Sequence, residues 1–198
     1  MKRLFAAVKI HPDEGLTSLY WAIRKSLRDE RITWVDPDNM HITLKFFGET
    51  PEHHIPGISV ALKEAARDLY PFTLSLNNTG IFGSSYKPRV IWFGIDKNDE
   101  MLKLYENVNA SLEAIGIKND RQNFVPHLTV GRIKSLSDKK HFQRVTGKYR
   151  EVAIKKEEVK DYYLFESILS PQGPKYVVIE SYPMGGPNNE ERGTRNEL

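Results

Sequence analysis

Two short stretches of this chain carry one pattern: Met40-His41-Ile42-Thr43-Leu44 and Pro126-His127-Leu128-Thr129-Val130. Side chains alternate across a β-strand. Each stretch, read as a strand, turns Ile42 and Leu44, or Leu128 and Val130, into a core. The histidine and threonine of each then point together out of the opposite face. The copies lie nearly half the chain apart, which no local turn bridges but two halves of one domain do. At 198 residues the chain has the length of a single domain, about 150 residues being typical. It can bury roughly 70% of its unfolded surface without a metal or disulfide as staple.

The rest of the pattern fits around those strands. Residues 2–10 read as a strand. Pro12-Asp13-Glu14 opens a helix to about Glu30, with Leu16, Leu19, Tyr20, Ile23 and Leu27 on one stripe. Thr33 to Val35 is a short extended piece, ended by the turn Asp36-Pro37-Asp38-Asn39. Met40 to Phe47 is a strand closed by Gly48, and a second helix is expected from about Glu52 to Leu69. Strands follow at Phe72–Leu76 and Arg89–Ile95, a third helix at Asp99–Ile115, and a strand at Leu128–Ile133. Residues 151–169 and 175–180 supply two more around Pro171-Gln172-Gly173-Pro174. Hairpin-like and helix-linked connections are mixed, which predicts an α+β fold with largely antiparallel sheets. One domain is expected over residues 1–183, with 184–198 a polar tail.

Composition narrows the function. Hydrophobic residues at 39% and charged residues at 28% describe an ordinary soluble chain. Lys plus Arg number 29 against 26 Asp plus Glu, a net +3 that is compatible with a nucleic-acid ligand without implying one. The absence of cysteine excludes a thiol nucleophile and a thiolate zinc site. Lys2-Arg3 precedes an apolar stretch that stops at Lys9, short of the ~7–15 residues of a secretion-signal core. No run reaches the ~18 apolar residues of a membrane span. The expected location is the cytoplasm, with no membrane partner.

The paired motifs suit one chemistry in particular. Imidazole, with an unperturbed pKa of about 6.5, gives or takes a proton near neutrality. Cleaving a phosphodiester requires one group to deprotonate the attacking oxygen and another to protonate the leaving oxygen. Two histidines across a phosphate meet both needs, and two threonine hydroxyls can donate to its nonbridging oxygens. No metal or other cofactor enters this scheme. A single His-x-Thr is a weak signal, and a strand histidine is more often structural. The doubled pattern is far more specific.

The chain resembles the 2H phosphoesterases, and among them the LigT-like RNA 2′,3′-cyclic phosphodiesterases, also called 2′-5′ RNA ligases. The resemblance spans about residues 3–182. It rests on Arg3-Leu4-Phe5-Ala6-Ala7-Val8, on Asn39 through Glu49, on Pro88-Arg89-Val90-Ile91-Trp92, and on Phe124 through Arg132. It closes with Leu164-Phe165-Glu166-Ser167, Leu169-Ser170-Pro171 and Gly173-Pro174-x-Tyr176. The resemblance implies a bilobal, pseudo-twofold fold with flanking helices and a central cleft, one His-x-Thr strand coming from each lobe. It implies His41 as proton donor to the leaving 3′ oxygen, His127 as acceptor activating water, and Thr43, Thr129 and Arg132 as phosphate ligands. Strict alternation would turn Arg132 into the core, so a bulge is expected at Gly131.

Further candidates are weaker. On a regular strand Lys45 and Phe47 would share the outward face with His41, Lys45 meeting a phosphate and Phe47 a base. Tyr86, on a loop, is a third possible RNA contact. Lys134 to Arg150 could form a basic lip for an RNA backbone, although such stretches are more often solvated faces. His53-His54 lacks metal-ligand spacing, and His11 and His141 read as surface residues. Gly83-Ser84-Ser85-Tyr86-Lys87 lacks the register of a phosphate loop, so any ligation would be reversal of the phosphodiester chemistry. The expected substrate is an RNA end or small cyclic nucleotide, handled by a monomer. The rivals are a related enzyme acting on an ADP-ribose cyclic phosphate or 2′-5′ oligoadenylate, and a nucleotide- or RNA-binding module without turnover.

Overall fold

A computed structural model of the protein describes residues 1–84, 86–119, 124–171 and 173–185. In chain order the elements are β1 (Lys2–Lys9), α1 (Glu14–Ser26), β2 (Arg31–Trp34), β3 (His41–Thr50), α2 (Ile55–Ala65), β4 (Phe72–Gly83) and β5 (Pro88–Ile95). They continue with α3 (Asp99–Ala114), β6 (His127–Ser135), α4 (Lys139–Lys148), β7 (Ala153–Val159), β8 (Asp161–Ser170) and β9 (Gly173–Pro183). The strands form two antiparallel sheets, one in the order β3-β1-β8-β9 and the other β2-β6-β5-β4-β7. Helices α2 and α3 pack against the first sheet, α1 and α4 against the second.

Strand β1 lies between β3 and β8, and both of its faces are covered, which is why its sequence is a continuous apolar run. Leu4, Ala6 and Val8 enter the main core. Phe5 and Ala7 form a second, smaller cluster with Phe165 on the other face, flanked by Tyr163 and Tyr176. Helices α1, α3 and α4 begin where a capping side chain accepts from a free N–H of the first turn. Asp13 caps α1 through Leu16 N at 2.9 Å, Asn98 caps α3 through Met101 N at 2.7 Å, and Asp138 caps α4 through His141 N at 2.8 Å. Such a cap contributes about 1 kcal/mol. Leu16, Tyr20 and Ile23 of α1 and Met101, Leu104, Val108 and Leu112 of α3 are buried at helical spacing.

Several boundaries differ from expectation. Residues 151–169 are two strands, β7 and β8, in different sheets. The chain passes between them at Lys160, whose carbonyl accepts from Met184 N at 2.8 Å. That bond and the buried Met184 side chain carry the packed structure past residue 183; residues 186–198 lie outside the described residues. Strand β4 runs on to Gly83 through an irregularity at Asn78, which takes φ +63° and donates to Val152 O. Helix α4 (Lys139–Lys148) occupies most of the basic stretch from Lys134 to Arg150. Among the described residues no helix is long and apolar enough to cross a membrane.

Candidate active site

The two His-x-Thr segments open β3 and β6, one in each sheet, and these strands approach one another. Their burial runs in parallel. His41 and Thr43, like His127 and Thr129, are half-buried, while Ile42, Leu44, Leu128 and Val130 are buried. Both strands then bulge. Against β1 the partners skip from Thr43 to Lys45, and against β5 from Thr129 to Gly131. A bulge moves every later side chain to the opposite face.

In β6 this is the expected bulge, and it brings Arg132 to the same face as His127 and Thr129. A Cβ on Gly131 would lie 2.9 Å from Ile32 Cγ2 and 3.2 Å from the Trp34 ring, so the close approach of β2 requires glycine there. The matching bulge in β3 overturns the placement of two candidates. Lys45 is 3% exposed on the core side, with Nζ donating to Lys118 O at 2.8 Å. Phe47 packs against the main core. Phe46 takes the outward position instead, 61% exposed, its ring 6.0 Å from Phe5. Tyr86 stands 83% exposed beside Ser85, which lies outside the described residues.

Each imidazole is fixed the same way. His41 Nδ1 bonds Asn39 O at 2.7 Å and His127 Nδ1 bonds Val125 O at 2.8 Å. A carbonyl only accepts, so Nδ1 carries a proton in both rings, and exchange with a substrate falls to Nε2. Aromatic rings hold the orientation. His41 packs against Phe5 at 4.8 Å and, edge-on, against Tyr176 at 5.2 Å. His127 meets Phe82 at 4.6 Å and a right angle, with Trp92 behind Phe82 at 5.3 Å.

Tyr176, Phe5, Phe82 and Phe46 were not singled out from sequence as site residues. Tyr176 belongs to β9, the far edge of the sheet from β3. It reaches His41 because that sheet curls, an arrangement closed by Asn39 Nδ2 donating to Pro174 O at 3.2 Å.

Electrostatics couple the two halves. The pKa of His41 is held below the ordinary imidazole value by burial first, with the charges of Arg132 and His127 acting the same way against its carbonyl bond. That of His127 is lowered by burial, and again by Arg132. Arg132 thus acts on both histidines. It also acts on the Tyr176 hydroxyl, as does Arg3, although burial dominates there and raises that pKa.

The consequence for stability has a definite sign. Both folded-state pKa values lie below the unfolded value of 6.5, so the unfolded chain binds protons first. The stabilisation from these neutral histidines is complete above about pH 6.5 and is lost as pH falls through their folded values. Imidazole NMR titration is expected to give two apparent pKa values below 6.5, belonging to the pair. Values at or above it would contradict the buried, cation-flanked placement.

The other histidines have separate roles. His11 Nδ1 bonds Glu157 at 2.7 Å, His141 Nε2 bonds Ser26 O at 2.8 Å, and His53 and His54 lie exposed on a short 3-10 turn.

Comparison with known proteins agrees with this architecture. The model of the LigT like phosphoesterase family matches residues 8–92 and 94–176. An RNA 2′,3′-cyclic phosphodiesterase of Aquifex aeolicus is 35% identical over 190 residues, covering 94% of this chain and 100% of that protein. One from Archaeoglobus fulgidus is 34% identical over 175 residues, covering 88% and 96%. Among solved structures, TT0787 of Thermus thermophilus superposes with a TM-score of 0.75 at 30% identity, covering 94% of this chain and 100% of that one. The apo form of Escherichia coli LigT, at 21% identity over 92% of this chain and 96% of that one, shares the fold with a TM-score of 0.67. The chain therefore belongs to the LigT-like phosphoesterase family.

Proposed function

We propose that this protein is an RNA 2′,3′-cyclic phosphodiesterase, opening terminal cyclic phosphates to 2′-phosphates as a cytoplasmic monomer. The observation that carries the reading is the pair of imidazoles, each with Nδ1 committed to a carbonyl, under the shared charge of Arg132. The names of the relatives in Aquifex and Archaeoglobus support the same activity.

Neutral His127 takes a proton from water at Nε2 as that water's oxygen bonds to phosphorus. Protonated His41 gives its Nε2 proton to O3′ as the P–O3′ bond breaks, and the phosphate stays on O2′. Thr43, Thr129 and Arg132 hold the nonbridging oxygens, where charge accumulates in the transition state. Phe46, rather than Phe47, offers a ring for a nucleobase. With a 5′-hydroxyl in place of water as the attacking group, the same transfers would form a 2′-5′ linkage.

Both proton transfers use side chains of the chain itself. Turnover of 2′,3′-cyclic AMP is therefore expected to proceed unchanged in EDTA. Activity lost in EDTA and restored by a divalent ion would reject the scheme. The pH profile follows from the lowered histidines. The free enzyme sets kcat/KM, whose bell is expected to centre below pH 6.5. Bound anionic phosphate favours the imidazolium, so the kcat optimum should lie on the alkaline side of that for kcat/KM.

A further inference from the structure

Beyond the paired histidines, the face that carries Arg132 continues as a cationic corner. Lys134, two residues on in β6, is exposed, and Thr33 of the neighbouring β2 pairs with Arg132. Arg31 lies on that strand opposite Ser135 and is also exposed. The chain then turns into α4, whose first residues, Lys139 and Lys140, are both exposed. No acidic residue occurs anywhere in α4.

Two features show that this charge is left facing outward. Glu30 stands beside Arg31 in sequence, but its carboxylate is turned inward and spent on two backbone donors, Ser137 N and Asp138 N, the latter at 2.9 Å. Asp138 accepts from His141 N as the helix cap. The ion pairs among the described residues engage other cations, including Lys2 with Glu166, Lys155 with Glu157 and Arg67 with Glu64. None of them pairs Arg31, Lys134, Lys139 or Lys140 with a carboxylate. The eight residues from Arg132 to Lys139, seven steps of extended chain, span at most about 25 Å, so the corner lies within reach of a polynucleotide whose end meets the two histidines.

We propose that Arg31, Lys134, Lys139 and Lys140 form a docking surface for the phosphate backbone of the RNA upstream of the reacting end. The proposal rests on the cyclic-phosphodiesterase reading and adds a preference for polynucleotide over mononucleotide. Phosphate contacts of this kind bind without reading sequence and are strongly salt-dependent. The terminal nucleotide supplies the chemistry, and the corner supplies affinity.

The test compares wild type with Lys134→Gln/Lys139→Gln/Lys140→Gln, a variant that alters only exposed side chains. Substrates are 2′,3′-cyclic AMP and cyclic-phosphate-ended RNA oligonucleotides of increasing length. Wild-type kcat/KM should rise with length. The variant should lose at least tenfold on the longer RNAs while matching wild type within twofold on cyclic AMP. The slope of log kcat/KM against log salt should become shallower by about 2 for RNA, as expected for three lost single-strand phosphate contacts. Equal behaviour of the two proteins on RNA, or equal losses on both substrates, would overturn the docking surface. Anisotropy with a 2′-phosphate-ended RNA measures the same corner without turnover. A wild type that binds this RNA tenfold more tightly than the variant, yet opens no cyclic phosphate, would sustain the surface and refute the enzymatic reading.

Discussion

Replacing His41 or His127 with alanine is expected to lower kcat on a cyclic-phosphate-ended oligonucleotide by about 10²–10⁴, the usual worth of a positioned acid or base. The double variant should be little worse than the poorer single one. In the proposed mechanism each histidine supplies half of one proton-transfer cycle, so removing either half disables the other. The fold should survive, because both side chains lie on the face opposite Ile42, Leu44, Leu128 and Val130, which anchor the strands in the core. His41 is wedged between Phe5 and Tyr176, so His41→Gln, which better preserves volume, is the control for packing. It should be as inactive as His41→Ala while unfolding closer to wild type. Additive losses in the double variant would mean that the two imidazoles do not share a transition state.

Arg132→Ala is expected to lower kcat by about 10²–10³, as for removal of one preorganised donor to developing negative charge. The loss should appear in kcat more than in KM if the guanidinium grips charge that develops only as the P–O3′ bond breaks. Removing Arg132 also removes a cation that depresses both histidines, so their pKa values should rise. The kcat/KM optimum then moves upward in pH. Gly131→Ala should reproduce part of the rate loss with Arg132 still present. The added methyl meets Ile32 and Trp34, and relieving that contact shifts the bulge that aims Arg132. An Arg132→Ala enzyme with a normal rate and an unmoved pH profile would remove this residue from the phosphate site.

The features legible in sequence were those written in periodicity. Alternation around His41 and His127 placed both pairs on the outward face, because Ile42, Leu44, Leu128 and Val130 have only one way to be buried. The β6 bulge was legible because strict alternation would turn Arg132, which the resemblance makes a phosphate ligand, into the core, with Gly131 beside it to break the alternation. Its counterpart in β3 was not, since the equivalent residue is Lys45, and a lysine gives no sign of a bulge. Hence Phe47 was put forward where Phe46 stands. Helix α4 was hidden by having only Phe142 and Val145 buried amid polar residues, its one local signal being the Asp138 cap. Residues 151–169 concealed a change of sheet that no alternation records. Tyr176 reaches His41 only through the curl of a whole sheet, which is a tertiary property.

The assignment of donor and acceptor has one direct chemical consequence. With His41 protonating O3′ and His127 activating water on the far side of phosphorus, the P–O3′ bond breaks in line and the phosphate remains on O2′. Phosphorus NMR of the product formed from 2′,3′-cyclic AMP separates the two monophosphates. The account predicts 2′-AMP, and a predominantly 3′-AMP product would contradict it.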